Sequence, residues 1–288
     1  MSNEYRNQHH HPSFFLKGFA DTRGRVWIHQ PSGKVYDRGY TQVCCQPDFY
    51  SYIDPLTGVL DPRMETGVNR VVDNDFGRIL HHRVFRRRTP SADEKEKLAR
   101  ALAYQCFRTP ANREAIMDRY GGLTQRAAVA KFMEEHPQAK SVASLDLFDD
   151  TPQDDQFRRW FANIKSLSLA MRYTQSFLAK EWEYLQTTAD APFITSDKAF
   201  ALVNRANHRA QRVNMLDRET VVIMPLNKRF TVIMQHGVPL IPPFRMASAQ
   251  EVRVINMRVA QQCLEFVIAS TRSIEYPPQW GGSRNEIS

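Results

Sequence analysis

Apolar residues recur every three or four positions in several stretches of this chain, a spacing that predicts amphipathic helices. One such stripe begins at Met64 and leads into the basic run 81–90. The next begins after Ser91, whose pairing with Glu94 is typical of a helix start. Further helices are predicted over 110–120, over 124–136, from a Thr151 cap to about Ala179, and from Ser248 to about Ser270.

The sharpest local signal is a corner between two helices in residues 98–116, LARALAYQCFRTPANREAI. Thr109 can cap the second helix, and Pro110 suits its first position, where a missing N–H has no cost. Gln105 and Arg108 lie one turn apart just before the corner and therefore share a face. We expect this polar pair to form the wall of a site, with Arg108 buried against a carboxylate.

Alternating apolar residues predict strands near both ends of the chain. Residues 24–38 are typical of a β-hairpin with a Pro-Ser-Gly turn. The predicted fold class is α+β, with a mostly helical body, an N-terminal β-hairpin and a small C-terminal antiparallel sheet. We expect one domain over 12–270, between a flexible tail at 1–11 and a tail at 271–288. Short strands are predicted over 182–187, 192–195, 199–203, 220–224 and 230–235.

Composition and charge narrow the class of protein. Hydrophobic residues make up 42% of the 288, which is enough for a sizeable core. No apolar run approaches the ~18 residues of a membrane span, so no membrane partner is expected. The N-terminus has no secretory signal, and the four cysteines show no disulfide framework. These features predict a cytoplasmic protein.

The formal net charge of +8 favours a polyanionic partner such as nucleic acid. The basic residues include two clusters of three arginines each. The arginines of the second cluster share a face if their segment is helical. An ordinary solvated basic surface is the alternative, and the sequence leaves both open. The clusters are Arg86, Arg87 and Arg88, and Arg205, Arg209 and Arg212.

Two short polar segments are candidates for chemistry. The histidines at 9–11 precede an apolar anchor, and one imidazole could be carried into a cleft as an acid or base. Three adjacent histidines rarely bind one metal, because consecutive side chains point in different directions. Ser196 and Asp197 follow a predicted strand, where they either carry function or close a turn.

No P-loop, Rossmann, HExxH, GxSxG or zinc-spaced Cys/His motif occurs in the sequence. These absences disfavour nucleotide hydrolysis by a P-loop, NAD chemistry, zinc proteolysis and α/β-hydrolase catalysis. The sequence assigns no metal ligand and no cofactor, and a divalent metal stays open.

The order of several motifs resembles the domain of unknown function 4238 family over about residues 9–270. The chain departs from the family pattern at two places. Lys198-Ala199 stands where the family usually has Asn-Pro. The family also usually has a second acidic residue on the first long helix, and the nearest match here is Asp73. The resemblance implies that His9, Glu65, Gln105, Arg108, Ser196 and Asp197 belong to a site. The matching motifs are His9-x-x-Pro12 with Phe14, Leu16 and Phe19, Phe49-Tyr50, Glu65, Gln105-x-x-Arg108-Thr109-Pro110, 193–197, Met224-Pro225-Leu226 and Asn256.

The favoured hypothesis is a nuclease that acts on RNA, in which a histidine and a carboxylate share acid–base work and an arginine stabilises the phosphate. The proposed catalytic residues are His9, Glu65, Arg108 and Asp197, with Gln105, Ser196 and Asn256 in support. A role as a toxin or in phage defence follows only by analogy. A non-catalytic nucleic-acid-binding or regulatory protein and an enzyme for a small anionic metabolite are the alternatives. A cleft would favour an enzyme, and a flat basic surface would favour binding.

Overall fold

The computed structural model describes residues 7–53, 60–61, 67, 69–135, 137, 148–206, 214–237 and 243–275. Three of the predicted site residues, Glu65, Arg209 and Arg212, lie outside this part of the chain. Within it, 44% of the residues are helical and 22% are in strands.

The helix ends follow the capping residues that the sequence predicts. Ser91 and Glu94 form the capping box, and Thr109 caps the helix that Pro110 opens. None of the helices in the described residues combines the length and apolar character needed to cross a membrane. The helices are α1 (Ser13–Lys17), α2 (Arg70–His82), α3 (Ala92–Phe107), α4 (Pro110–Tyr120), α5 (Gln125–Glu135), α6 (Asp155–Leu178) and α7 (Ala249–Gln261).

Two predicted helix ends are wrong. Helix α6 starts later than Thr151 because the side chain of Asp154 accepts the N–H of Phe157 at 2.7 Å and forms the cap. Helix α7 ends at Gln261 and not near residue 270. The side chain of Gln262 pairs with both backbone groups of Leu202, at 2.9 and 2.8 Å, and the chain turns away there.

The strands build larger sheets than the sequence predicts. A five-stranded sheet has the order β12-β7-β11-β10-β9, and a four-stranded sheet has the order β3-β2-β13-β8. Two further pairs are β1-β4 and β5-β6. The strands are β1 (Asn7–His9), β2 (Arg25–His29), β3 (Val35–Gly39), β4 (Cys45–Pro47), β5 (Tyr52–Ile53), β6 (Leu60–Asp61), β7 (Glu181–Gln186), β8 (Thr195–Ser196), β9 (Ala201–Asn204), β10 (Thr220–Asn227), β11 (Phe230–Gln235), β12 (Phe244–Met246) and β13 (Val267–Ala269).

The predicted fold, a mostly helical body with a separate front hairpin and a small C-terminal sheet, is therefore wrong. The hairpin β2–β3 does form, but β2 pairs with β13, and β13 pairs with β8. One contact between the two ends, from His29 to the carbonyl of Thr271, spans 242 positions of sequence. Local periodicity carries no information on such a pairing.

The five-stranded sheet is buried on both faces. Along β10, Val222 and Met224 join the core formed with α2, α3 and α6, whereas Ile223 faces the core under α7. This alternation follows from the two-residue period of a strand. The sheet therefore lies between the helical body and α7.

The N-terminal segment is part of the folded body from residue 7 onward, and not a tail up to residue 11. Strand β1 pairs with β4, and His11 is fully buried. The predicted apolar anchor forms α1. Just after this helix, the carbonyl of Gly18 accepts the backbone N–H of Lys228 at 3.1 Å, and the carbonyl of Ala20 accepts a hydrogen bond from Nζ of Lys228 at 2.6 Å. These two bonds join α1 to the turn between β10 and β11.

Replacing Gly18 with alanine should destabilise the fold, because the new Cβ would lie 2.7 Å from Cβ of Asn227 and 3.0 Å from the carbonyl oxygen of Phe15. We expect Gly18→Ala to lower the free energy of unfolding by about 1–3 kcal/mol, measured by urea denaturation. Gly122→Ala is the control, since no atom lies within 4 Å of its new Cβ. Equal stability of the two variants would contradict the close packing of α1 on the turn.

Candidate functional site

Arg108, just after the end of α3, is almost completely buried, with 1% of its side chain exposed. Its Nη2 lies 2.9 Å from Oδ1 of Asp73 on α2, and its guanidinium lies 5.2 Å from the ring centroid of Tyr104. Burial lowers the pKa of Arg108 more than any other single influence, but Asp73, Tyr50 and Tyr104 together raise it further, and the pKa lies above its ordinary value. The prediction that Arg108 is buried against a carboxylate is confirmed.

Arg108 also fixes the orientation of Gln105. The Nε and Nη2 of Arg108 donate to Oε1 of Gln105 at 3.1 and 2.8 Å. Since a guanidinium has only donors, the amide oxygen must face Arg108 and the amide nitrogen must face away from it. That nitrogen donates to the carbonyl of His10 at 3.1 Å and contacts Nδ1 of His11.

This orientation selects the tautomer of His11. An amide N–H that points at Nδ1 requires Nδ1 to be the acceptor, so the ring proton is on Nε2. From there it donates to the carbonyl of Ser196 at 3.2 Å. Burial, and next the positive charge of Arg108, lower the pKa of His11 to about 4. A continuous chain of contacts thus runs from Asp73 on α2 to Ser196 on β8.

His10 is 5% exposed, and its environment is different from that of His11. Its backbone N–H donates to the carbonyl of Cys44 at 3.0 Å. Its Nδ1 is buried and has no hydrogen-bond partner among the described residues. Burial, followed by the charges of His11 and Arg108, lowers the pKa of His10 well below its ordinary value. Both buried imidazoles are therefore neutral at physiological pH.

His10 lines a cleft of about 820 Å³, together with Cys44 and Asp197. Other walls of the cleft come from α4 and from residues 264–266, which follow α7. This volume lies within the range of small-molecule sites in proteins. The network of Arg108 thus ends at one wall of an open cavity.

Asp197 follows β8 and accepts two backbone hydrogen bonds from the segment after α7. The N–H of Leu264 lies 3.0 Å from Oδ1, and the N–H of Glu265 lies 2.6 Å from Oδ2. Burial raises the pKa of Asp197 to about 6, even though these two hydrogen bonds lower it. The carboxyl group therefore titrates close to neutral pH.

The family model described as "Protein of unknown function (DUF4238)" matches residues 7–273. The chain belongs to this family. The match includes β1, the corner at Arg108, β8 and the segment after α7, so the whole candidate site lies within the DUF4238 region. No curated protein and no solved structure matches the chain.

Two other residues of the predicted DUF4238 site, His9 and Asn256, have backbone hydrogen-bond partners of their own. The Nε2 of His9 lies 3.1 Å from the carbonyl of Thr41, whereas it is His11 that reaches the Gln105–Arg108 pair. A catalytic role of His9 stays a prediction, and the charges of Arg108 and Asp73 both act on the pKa of its imidazole. Asn256 accepts the N–H of Ile194 at 3.1 Å and donates to the carbonyl of Pro192 at 2.9 Å, so it holds the segment before β8.

Ser196 contributes to the candidate site through its backbone carbonyl, which accepts a hydrogen bond from Nε2 of His11. Its hydroxyl oxygen accepts the N–H of Lys198 at 3.3 Å. The sequence missed His10, His11 and Cys44 as a group. The only available signal was the run of three histidines ahead of the apolar anchor.

The described arginines of the two basic clusters, Arg86, Arg87, Arg88 and Arg205, are not among the residues that line the cleft. Arg86, Arg87 and Arg88 are exposed beyond the C-terminal end of α2, whereas Asp73 lies in its first turn. The intervening helix rises by about 14 Å. Arg205 follows strand β9 and not a helix, and it donates to the carbonyl of His236 at 2.7 Å. The helical condition for a shared face is not met at Arg205, and Arg209 and Arg212 lie outside the described residues.

Truncation of Arg108 should be strongly destabilising, because it leaves Asp73 and Oε1 of Gln105 without their partner. We expect Arg108→Ala to lower the free energy of unfolding by about 3 kcal/mol or more. Arg100→Ala, on the same helix, removes an ion pair with Glu96 in which both side chains are about half exposed. The free energy of unfolding should fall far less in Arg100→Ala than in Arg108→Ala. Similar losses for both variants in chemical denaturation would contradict the central role of Arg108.

The raised pKa of Asp197 predicts a pH-dependent stability difference between the parent and Asp197→Asn. The folded state holds the Asp197 proton more tightly than the unfolded state, so this group stabilises the fold below pH 4 and loses that contribution as pH rises through about 6. The stability of Asp197→Asn relative to the parent should therefore increase by about 2 kcal/mol between pH 4 and pH 7. A constant difference across urea denaturations in this range would contradict the raised pKa.

Proposed function

We propose that this chain is an enzyme that performs acid–base catalysis in the cleft, with Asp197 as the group that moves the proton. The observation that carries this proposal is a buried carboxyl group on a cleft wall whose pKa lies at about 6. A general base is most effective when its pKa lies near the working pH. Asp197 meets this condition without any further residue.

A purely structural role accounts less well for Asp197. A carboxylate that only ties down backbone N–H groups has a lowered pKa, because these bonds stabilise the charged form. In Asp197 burial outweighs two such bonds and the pKa is raised. Perturbation by burial in a cleft is typical of functional carboxyl groups.

The contacts of Asp197 favour the role of a base. Both oxygens accept backbone N–H groups, from Leu264 and Glu265, and therefore orient the carboxylate form. An oriented carboxylate can remove a proton from water or from a hydroxyl group of the substrate. In this scheme Arg108 is a positioning residue: it is buried and paired with Asp73, and it acts through Gln105 and His11.

For the substrate we propose RNA, which would make the chain a nuclease. The net charge of +8 and the exposed Arg86, Arg87 and Arg88 support a polyanion. Arg38 and Arg119 line the cleft itself and could contact a phosphate. Since Glu114, Asp118 and Glu265 line the same cleft, a phosphate would have to lie beside the arginines and away from these carboxylates.

Cleavage of a labelled RNA pool between pH 5 and pH 8, with and without Mg²⁺ or Zn²⁺, tests this proposal. The parent should cleave RNA at a rate that rises with pH through about 6, following the ionisation of Asp197. Asp197→Asn should lower the rate by about a hundredfold or more and remove this pH dependence. The matched control is Glu114→Gln, an exposed carboxylate of the same cleft, which should keep the parent rate.

Two results would overturn parts of the proposal. RNA binding by the parent without cleavage under any condition would replace the nuclease with a nucleic-acid-binding protein. Cleavage by Asp197→Asn at the parent rate would leave a nuclease but remove Asp197 as its base. Circular dichroism of each variant confirms that a loss of rate is not a loss of fold.

A further inference from the structure

Two histidines and a cysteine meet at the inner end of the cleft. His10 and His11 lie in the bend that follows β1, and Cys44 directly precedes β4. One possible ligand atom from each side chain lies within 4.8 Å of those of the other two, and all three residues are buried. This group is separate from Asp197, which carries the proposed function.

The backbone brings these side chains together in two ways. The pairing of β1 with β4 places His9 opposite Cys45, and the N–H of His10 then donates to the carbonyl of Cys44 at 3.0 Å. Cys44 has a φ of 54°, in the left-handed region that residues other than glycine rarely occupy. Such a conformation in a non-glycine residue is held only by its surroundings, and it is common at functional sites.

We propose that His10, His11 and Cys44 bind a divalent transition-metal ion, with Zn²⁺ as the best match. Imidazole nitrogen and thiolate sulfur are the ligands that Zn²⁺ prefers in proteins. Ligands at 2.0–2.3 Å from a tetrahedral ion lie about 3.5 Å apart, so the side chains need to approach by about 1 Å. The thiol of Cys44 gives up its proton on binding, as metal-bound cysteines do.

The free nitrogen of His10 is an independent observation that supports a ligand at this place. Its Nδ1 is buried and has no partner among the described residues, and such an atom is costly unless something binds it. Protein, water or an ion can fill this role. Among these, an ion also accounts for the neighbouring imidazole and thiol.

His11 can serve as a ligand because each of its ring nitrogens lies near a backbone carbonyl. Whichever nitrogen keeps the proton can therefore donate it in a hydrogen bond, and the other nitrogen can bind the ion. Its Nε2 lies 3.2 Å from the carbonyl of Ser196, and its Nδ1 lies 3.1 Å from the carbonyl of His10. If the ring proton moves to Nδ1, this N–H donates to the carbonyl of His10, and Nε2 exchanges its contact with the carbonyl of Ser196 for the ion. Gln105 must then withdraw its N–H from Nδ1. Metal-bound histidines commonly donate their second N–H to a backbone carbonyl.

Three protein ligands are typical of zinc sites that keep one position for water or substrate. His10 and Cys44 both line the cleft, so the fourth position opens onto it. The Cys44 thiolate supplies a negative charge, and the nearby Arg108 is already paired with Asp73. The ion would thus act as a Lewis acid in the same cleft as Asp197.

Titration of the full chain, purified without a histidine tag and treated with a chelator, tests the site. Co²⁺ should bind one ion per chain and give thiolate-to-cobalt charge-transfer absorption together with the visible bands of a tetrahedral ion. Zn²⁺ should displace it and raise the melting temperature. Cys44→Ser should abolish the charge-transfer absorption and weaken affinity by about tenfold or more.

Cys45→Ser is the matched control, because this adjacent, partly exposed cysteine is not in the cluster. It should keep the parent absorption and affinity. His10→Gln provides a second test should Cys44→Ser not fold, and it should weaken affinity while retaining the thiolate band at high Co²⁺. The proposal is overturned if the parent binds no ion, if Cys44→Ser keeps the band, or if Cys45→Ser loses it. RNA cleavage is not needed for any of these readouts.

Discussion

The buried guanidinium of Arg108 is the constraint around which the candidate site is built. A charge with 1% exposure cannot be left unpaired, so α2 must present Asp73 to it at 2.9 Å. The same guanidinium takes the oxygen of Gln105, which turns the amide nitrogen towards His11. His11 then meets the carbonyl of Ser196. One charge therefore sets the relative positions of α2, α3, the N-terminal segment and β8.

Asp197 links this arrangement to the C-terminal part of the chain. By accepting the N–H groups of Leu264 and Glu265, it holds the segment that leaves α7 for β13. That turn brings β13 between β2 and β8, and it encloses the carboxyl group at the same time. The burial that results raises the pKa of Asp197. The architecture of the four-stranded sheet and the chemistry of Asp197 thus have a common cause.

The two proposals concern one cleft but depend on different residues. Acid–base catalysis rests on Asp197, and metal binding rests on His10, His11 and Cys44. Metal binding also requires neutral imidazoles, which burial and the charge of Arg108 favour by lowering the pKa values of His10 and His11. The exposed arginines of the 86–88 cluster lie beyond the far end of α2, so a role in binding a polyanion would be separable from chemistry in the cleft.

The sequence by itself determined the features that depend on near neighbours. These include the capping box at Ser91, the corner at Thr109-Pro110 and the hairpin β2–β3. The order of its motifs also predicted the DUF4238 family, and the position of Arg108 at the end of an apolar helix predicted its burial. Apart from the order of the motifs, which extends along nearly the whole chain, each of these signals lies within a short stretch of sequence.

Only the tertiary structure decided which side chains meet. The choice of His11 over His9 depends on where β1 ends and the chain bends, and that is set by pairing with β4. Cys44 joins the histidines for the same reason. The contact between His29 and Thr271 spans 242 positions, and strand partners at such a distance leave no local periodicity. The raised pKa of Asp197 is likewise a property of burial, which arises only when distant segments close around the carboxyl group.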